Sequence, residues 1–208
     1  DADGTPRTSF GGGRLGTTHH MTKRLLVDSI KYLVDTYKVD GFRFDMMGDH
    51  NAASVEEAYK AGKLRVIGVS NFQIEDLKSL MEVCEIKPMV NQILLHISNT
   101  PLELVEYCQK NGIAVEAYSP IGHGEILHEP EIEAMAVKYN VSVPQLCIRY
   151  TLQLGTISLP KTANPAHMES NAQVDFEIGA EDMELLKHFK HIESYGKSGG
   201  FPVYGDKL

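Results

Sequence analysis

Cysteine is scarce in this sequence, and no cysteine pair has a metal or redox spacing. Cys84, Cys108 and Cys147 are the three cysteines in 208 residues, and no CxxC occurs. That pattern argues against zinc ribbons and dithiol chemistry. It predicts reduced thiols, mostly in the core, in a cytoplasmic protein, with no metal site. No apolar run approaches the roughly 20 residues that a membrane span needs. Residues 1–17 are polar and Gly-rich, without the apolar stretch of a secretory signal. Positive charge is also in deficit: 20 Lys and Arg stand against 28 Asp and Glu, for a net charge of -8. Without clustered cations, nucleic acid is an unsuitable partner.

What is present is a regular alternation of short apolar strands and amphipathic helices. After an irregular, Gly-rich start, Leu25, Leu26, Ile30, Leu33 and Val34 recur at helical spacing, with Thr18 as a cap. Residues 39–45 read as a strand and 51–61 as a helix signalled by Ser54. Strands are then expected at 64–69, 89–94, 113–117 and 156–159. Helices are expected at 73–84, 101–111, 129–139, 143–154, 164–171 and 180–189. Pro101 opens one helix and Gly112 follows its end. This pattern predicts an α/β fold with a parallel sheet, specifically a partial TIM (β/α) barrel of about five strands. A complete barrel has eight. Five strands leave two sheet edges open, so either the N-terminal segment covers an edge or a second chain does, and self-association into a homo-oligomer is expected. The whole of 1–208 is expected to form a single barrel-type domain.

The first chemical motif is Gly41-Phe42-Arg43-Phe44-Asp45-Met46-Met47-Gly48-Asp49-His50. Arg43 and Asp45 lie two apart, on one side of a strand and near its C-terminal end, where barrel enzymes keep their sites. Arg43 would hold Asp45 ionised, as a glycosidase nucleophile requires, although a structural ion pair fits the same pattern. Residues 1–61 resemble the type I pullulanases of the α-amylase superfamily. The resemblance implies Asp45 as nucleophile, Arg43 as its partner, His50 near the substrate subsites, and an α-glucan ligand. Retaining chemistry also needs a carboxylic acid on the next strand. That strand ends in Val69-Ser70-Asn71, so the acid is absent.

From Gly62 onward the motifs change. Lys63-Leu64-Arg65-Val66-Ile67-Gly68-Val69-Ser70-Asn71-Phe72, Lys87-Pro88-Met89-Val90-Asn91-Gln92, Val115-Glu116-Ala117-Tyr118-Ser119-Pro120-Ile121-Gly122 and Leu159-Pro160-Lys161-Thr162 follow in order. Ser70, Asn71 and Gln92 close successive strands, where amides can bond a carboxamide. Asn71 could equally cap the following helix. Tyr118 offers a flat ring for stacking, or a core residue. Ser119 and Gly122 let backbone N–H groups approach a phosphate. Lys161 supplies a cation and Thr162 a hydroxyl.

Residues 62–208 resemble the C-terminal half of an aldo-keto reductase. The resemblance implies NADP as cofactor, held by the residues just named. It also places His167 where the family has an arginine for the 2′-phosphate, and Ser170 where it has a glutamate for adenine, while Asn171 is kept. Bidentate phosphate recognition is therefore weakened. The family's catalytic Asp, Tyr, Lys and His belong to strands before Lys63, and those strands are replaced here. Three functions follow as expectations: a chimeric barrel protein with weak NADP(H) binding and no efficient catalysis, a glycosidase acting through Asp45, and an NADP-dependent oxidoreductase. The join near Ala61 and Gly62 lies between matched helix–strand units, which allows strand order to be kept.

Overall fold

The computed structural model describes residues 8–9, 12–13, 20–38, 56, 59–62, 64–192 and 195. The chain divides into two compact units, Asp1–Ile67 with Cys84–Ile86, and Gly68–Val83 with Lys87–Leu208.

In the first unit, Thr8–Ser9 (β1) pairs antiparallel with Gly12–Gly13 (β2), so the start expected to be irregular carries a short hairpin. The predicted helix forms as His20–Tyr37 (α1). Its apolar stripe is not a core face: Leu25 is 63% exposed and Tyr32 58%. Glu56 is buried, and its Oε1 accepts the Ile86 N–H at 2.8 Å. The exposed Lys60 Nζ pairs with Glu85. The expected strand at 39–45 lies outside the described residues, and with it Arg43, Asp45 and His50; so do Thr18 and Ser54.

The second unit holds four parallel strands in the order Gly68–Ser70 (β3), Val90–Leu94 (β4), Ala114–Tyr118 (β5) and Ile157–Leu159 (β6). With the helices between them they form a partial α/β barrel, as the alternation predicts. One strand differs from expectation. Residues 64–67 are not in the ladder, because β4 begins at Val90 and Gly68 is the residue opposite it. A Cβ on Gly68 would lie 2.6 Å from the Val90 carbonyl oxygen, so only glycine permits this approach.

In β3 to β5 the odd-numbered residues face the helices. Ile93, Val115 and Ala117 pack with Leu77 of Ile74–Val83 (α2) and with Leu104, Val105 and Cys108 of Leu102–Lys110 (α3). A second core joins Pro130–Lys138 (α4), Val143–Gln153 (α5) and Ala180–Lys187 (α7) through Ile132, Leu146, Tyr150 and Leu186. Ser142 caps α5 in a capping box with Gln145, whose first turn also contains Pro144. Pro165–Ala172 (α6) is capped by Asn164, which accepts the Ala166 N–H at 3.0 Å. Cys108 and Cys147 are buried free thiols and Cys84 is half-buried, in keeping with core cysteines. Burial pushes the Cys147 thiol up to about 12, so it is inert as a nucleophile. No helix among the described residues is long and apolar enough to cross a membrane.

Candidate functional site

The register aligns Ser70, the last residue of β3, with Gln92 and Glu116, the middle residues of β4 and β5, in one row. Alternation then sends Gln92, Glu116 and Tyr118 to the sheet face opposite the helices. Gln92 is buried, and its Nε2 donates to Glu116 Oε2 at 2.7 Å. Ser70 Oγ donates to the Gln92 carbonyl at 3.1 Å. Asn71 sits in left-handed backbone at φ 58, a conformation asparagine tolerates better than most residues. Its N–H donates to the Gln92 carbonyl at 2.9 Å, and its Oδ1 accepts from the Tyr118 hydroxyl at 2.9 Å. Asn71 therefore does not cap α2; Asp76 does so by accepting the Gln73 N–H at 2.9 Å.

These bonds have a chemical consequence. Among the described residues they engage Gln92 Nε2 and Asn71 Oδ1, so that Gln92 Oε1 can accept and Asn71 Nδ2 can donate. Gln92 does not close its strand as expected but sits in the middle of β4, beside Asn71 just past the end of β3; this acceptor and donor on neighbouring strands match the two polar edges of a carboxamide. The Tyr118 ring beside them is half-buried and held by its hydroxyl.

The next residues leave the same end of the sheet. Ser119 has φ 52, and its carbonyl accepts the Gly122 N–H at 2.8 Å. Gly122 is buried at φ +53, where a Cβ would meet Ile192 Cδ1 at 3.0 Å. It opens a 3-10 segment, Gly122–His128. Lys161 is exposed and lies two residues beyond β6, whose Leu159 pairs with Tyr118. Thr162 Oγ1 accepts the Asn164 N–H at 3.1 Å, so this hydroxyl shapes the turn before α6. His167 and Asn171 are carried by α6, exposed and half-buried respectively. Among the described residues no group of three His, Cys, Asp or Glu side chains is arranged to hold a metal.

Sequence reasoning missed four supporting residues. Glu116 orients the Gln92 amide, and its place two residues before Tyr118 was the available signal. Asn91 is fully buried; its Nδ2 donates to the Phe72 carbonyl at 2.9 Å and pins the turn that carries Asn71. His96 and Tyr195 form a buried pair, Nε2 to hydroxyl at 2.9 Å, across 99 positions of chain. Local pattern offered no signal for that pair.

The Aldo/keto reductase family profile matches residues 33–191. This chain belongs to the aldo/keto reductase family. It is also chimeric: 63 residues are 94% identical to Pullulanase A of Streptococcus pneumoniae, covering 30% of this chain and 5% of that protein. The uncharacterized oxidoreductase YtbE of Bacillus subtilis is 45% identical over 134 residues, which is 64% of this chain and 48% of that one. Glyoxal reductase of the same organism is 41% identical over 144 residues, 69% of this chain and 52% of that one. The chain thus spans about half the length of these reductase relatives. Among solved structures, a Gox0644 mutant in complex with NADPH aligns with a TM-score of 0.74 at 28% identity, covering 91% of this chain and 70% of that one. A Bombyx mori aldo-keto reductase in complex with NADP aligns with a TM-score of 0.69 at 26% identity, covering 88% of this chain and 69% of that one.

Proposed function

We propose that the reductase-like half of this chimera keeps a weak NADP(H)-binding surface and that the chain does not catalyse carbonyl reduction efficiently. The carrying observation is that the bonds of Gln92 Nε2 and Asn71 Oδ1 turn an acceptor, Gln92 Oε1, and a donor, Asn71 Nδ2, to the same place beside the Tyr118 ring. The nicotinamide carboxamide fits those two atoms, and the ring offers a stacking face. Bound NADPH would supply a hydride. Lys161, with His167 and Asn171 on α6, would meet the adenosine phosphate end. A single lysine without the family's arginine gives a point charge rather than a fork, hence weak binding. Hydride transfer to a carbonyl also needs an acid to protonate the oxygen. The segment before Lys63 is pullulanase-like and supplies Arg43 and Asp45 in place of the reductase acid and its partners.

The experiment is a fluorescence titration of the intact chain with NADPH. Saturation is expected, with an apparent Kd raised at least about fivefold by Lys161→Met and by Tyr118→Ala. An unsaturable signal refutes the binding surface. Two parallel assays address turnover. NADPH oxidation by an aldehyde, abolished by Tyr118→Ala, would make the chain an oxidoreductase. Maltooligosaccharide cleavage lost in Asp45→Asn would make it a glycosidase, the reading that the pullulanase identity favours.

Self-association is part of the same proposal. It is supported by the exposed apolar stripe of α1, where Met21 and Leu25 are 69% and 63% exposed.

A further inference from the structure

Ser119 and His123 lie together in the most strained stretch of described backbone. Ser119 directly follows β5 and has φ 52; Gly122, His123 and Gly124 come next at φ 53, 58 and 95. Two of these four are not glycine, and each such residue costs about 1–3 kcal/mol of local strain. A serine at positive φ just past a parallel strand has its hydroxyl presented above the sheet edge, as in a nucleophile elbow. His123 is four residues on, and its Nε2 lies 3.3 Å from Ser119 Oγ. That separation is near the reach of a general base before substrate binds. A third group orients the base: the His123 ring meets the Tyr195 ring edge-on, with centroids 6.2 Å apart and planes at 84°. Tyr195 is itself buried and bonded to His96.

We infer that Ser119 and His123 form an acyl-transfer dyad that hydrolyses aryl esters of short carboxylic acids. Ser119 Oγ attacks the acyl carbon while His123 Nε2 takes the hydroxyl proton. The bond from the acyl carbon to the aryl oxygen breaks, and the phenol leaves with that proton, or leaves as the phenolate while His123 Nε2 releases the proton to solvent. A water molecule then attacks the acyl-serine, giving one proton to His123 Nε2. The bond to Ser119 Oγ breaks, the carboxylic acid departs, and the proton returns to Oγ. The residue after the nucleophile is Pro120, which has no N–H to donate to the oxyanion. Losing one such donor costs about 10²–10³ in rate. Substrates are therefore limited to esters with good leaving groups.

The test uses the intact chain and p-nitrophenyl acetate. A burst of p-nitrophenolate is expected, with acetyl found on Ser119 by peptide mass spectrometry. Ser119→Gly tolerates positive φ and removes the hydroxyl, so burst and adduct should both vanish. His123→Asn also suits its φ and should slow acylation about tenfold or more. Acetyl confined to lysine or histidine, or a burst unchanged in Ser119→Gly, overturns the dyad. The wild-type adduct decides the matter even where a variant fails to fold.

Discussion

His96 is fully buried, and its two ring nitrogens have settled roles. Nδ1 accepts the Ser98 N–H at 3.2 Å, so the proton sits on Nε2 and is donated to Tyr195. Burial, with smaller contributions from His191 and His123, drives its pKa down from 6.5 to about 3. The folded chain therefore holds His96 neutral where the unfolded chain protonates it. Stability contributed by this residue is complete above about pH 6.5 and is lost as pH falls towards 3, by up to about 5 kcal/mol. Urea melts between pH 7 and 4 should show that decline, and His96→Gln should flatten it. A smaller effect is expected at Tyr118. Tyr118→Phe keeps the ring but removes the bond to Asn71, which should cost about 0.5–1.5 kcal/mol in a chemical melt.

At the scale of elements, two contacts are decisive. The β3–β4 ladder begins where Gly68 faces Val90, and added bulk there meets backbone. Gly68→Ala should lower stability by about 1–3 kcal/mol by forcing the strands apart, readable as a lower urea midpoint. The second contact supports the first unit. Glu56 accepts the Ile86 N–H. Glu56→Leu leaves that N–H without its acceptor and should cost about 1–3 kcal/mol. The neighbouring pair of Lys60 and Glu85 is exposed, and Lys60→Met should leave the midpoint unchanged. Most helices were legible from spacing and caps. The spacing over 143–154 marks α5, although its Ser142–Gln145 capping box was not read, and Pro101 with Gly112 bracket α3. The start of β3 was not legible, because Leu64, Val66 and Ile67 are as apolar as strand residues, while pairing starts only where β4 offers a partner.

For the whole molecule, the exposed stripe on α1 predicts association. Mass measured by light scattering should exceed that of one 23.1 kDa chain, and Leu25→Glu should reduce it. A monomeric wild type would refute self-association. The sequence by itself determined the order of elements, the parallel sheet and the chimeric composition. Each of these is written in local periodicity and in ordered motifs. It also marked Asn71, Gln92 and Tyr118, which neighbouring parallel strands bring together. Only the tertiary structure decided which atoms of those residues are engaged, because a hydrogen bond depends on register between strands distant in sequence. The same holds for the Ser119 and His123 contact, which depends on backbone at positive φ, and for His96 and Tyr195, joined across 99 positions. Periodicity assigns a residue to a face; only packing sets which neighbour it meets there.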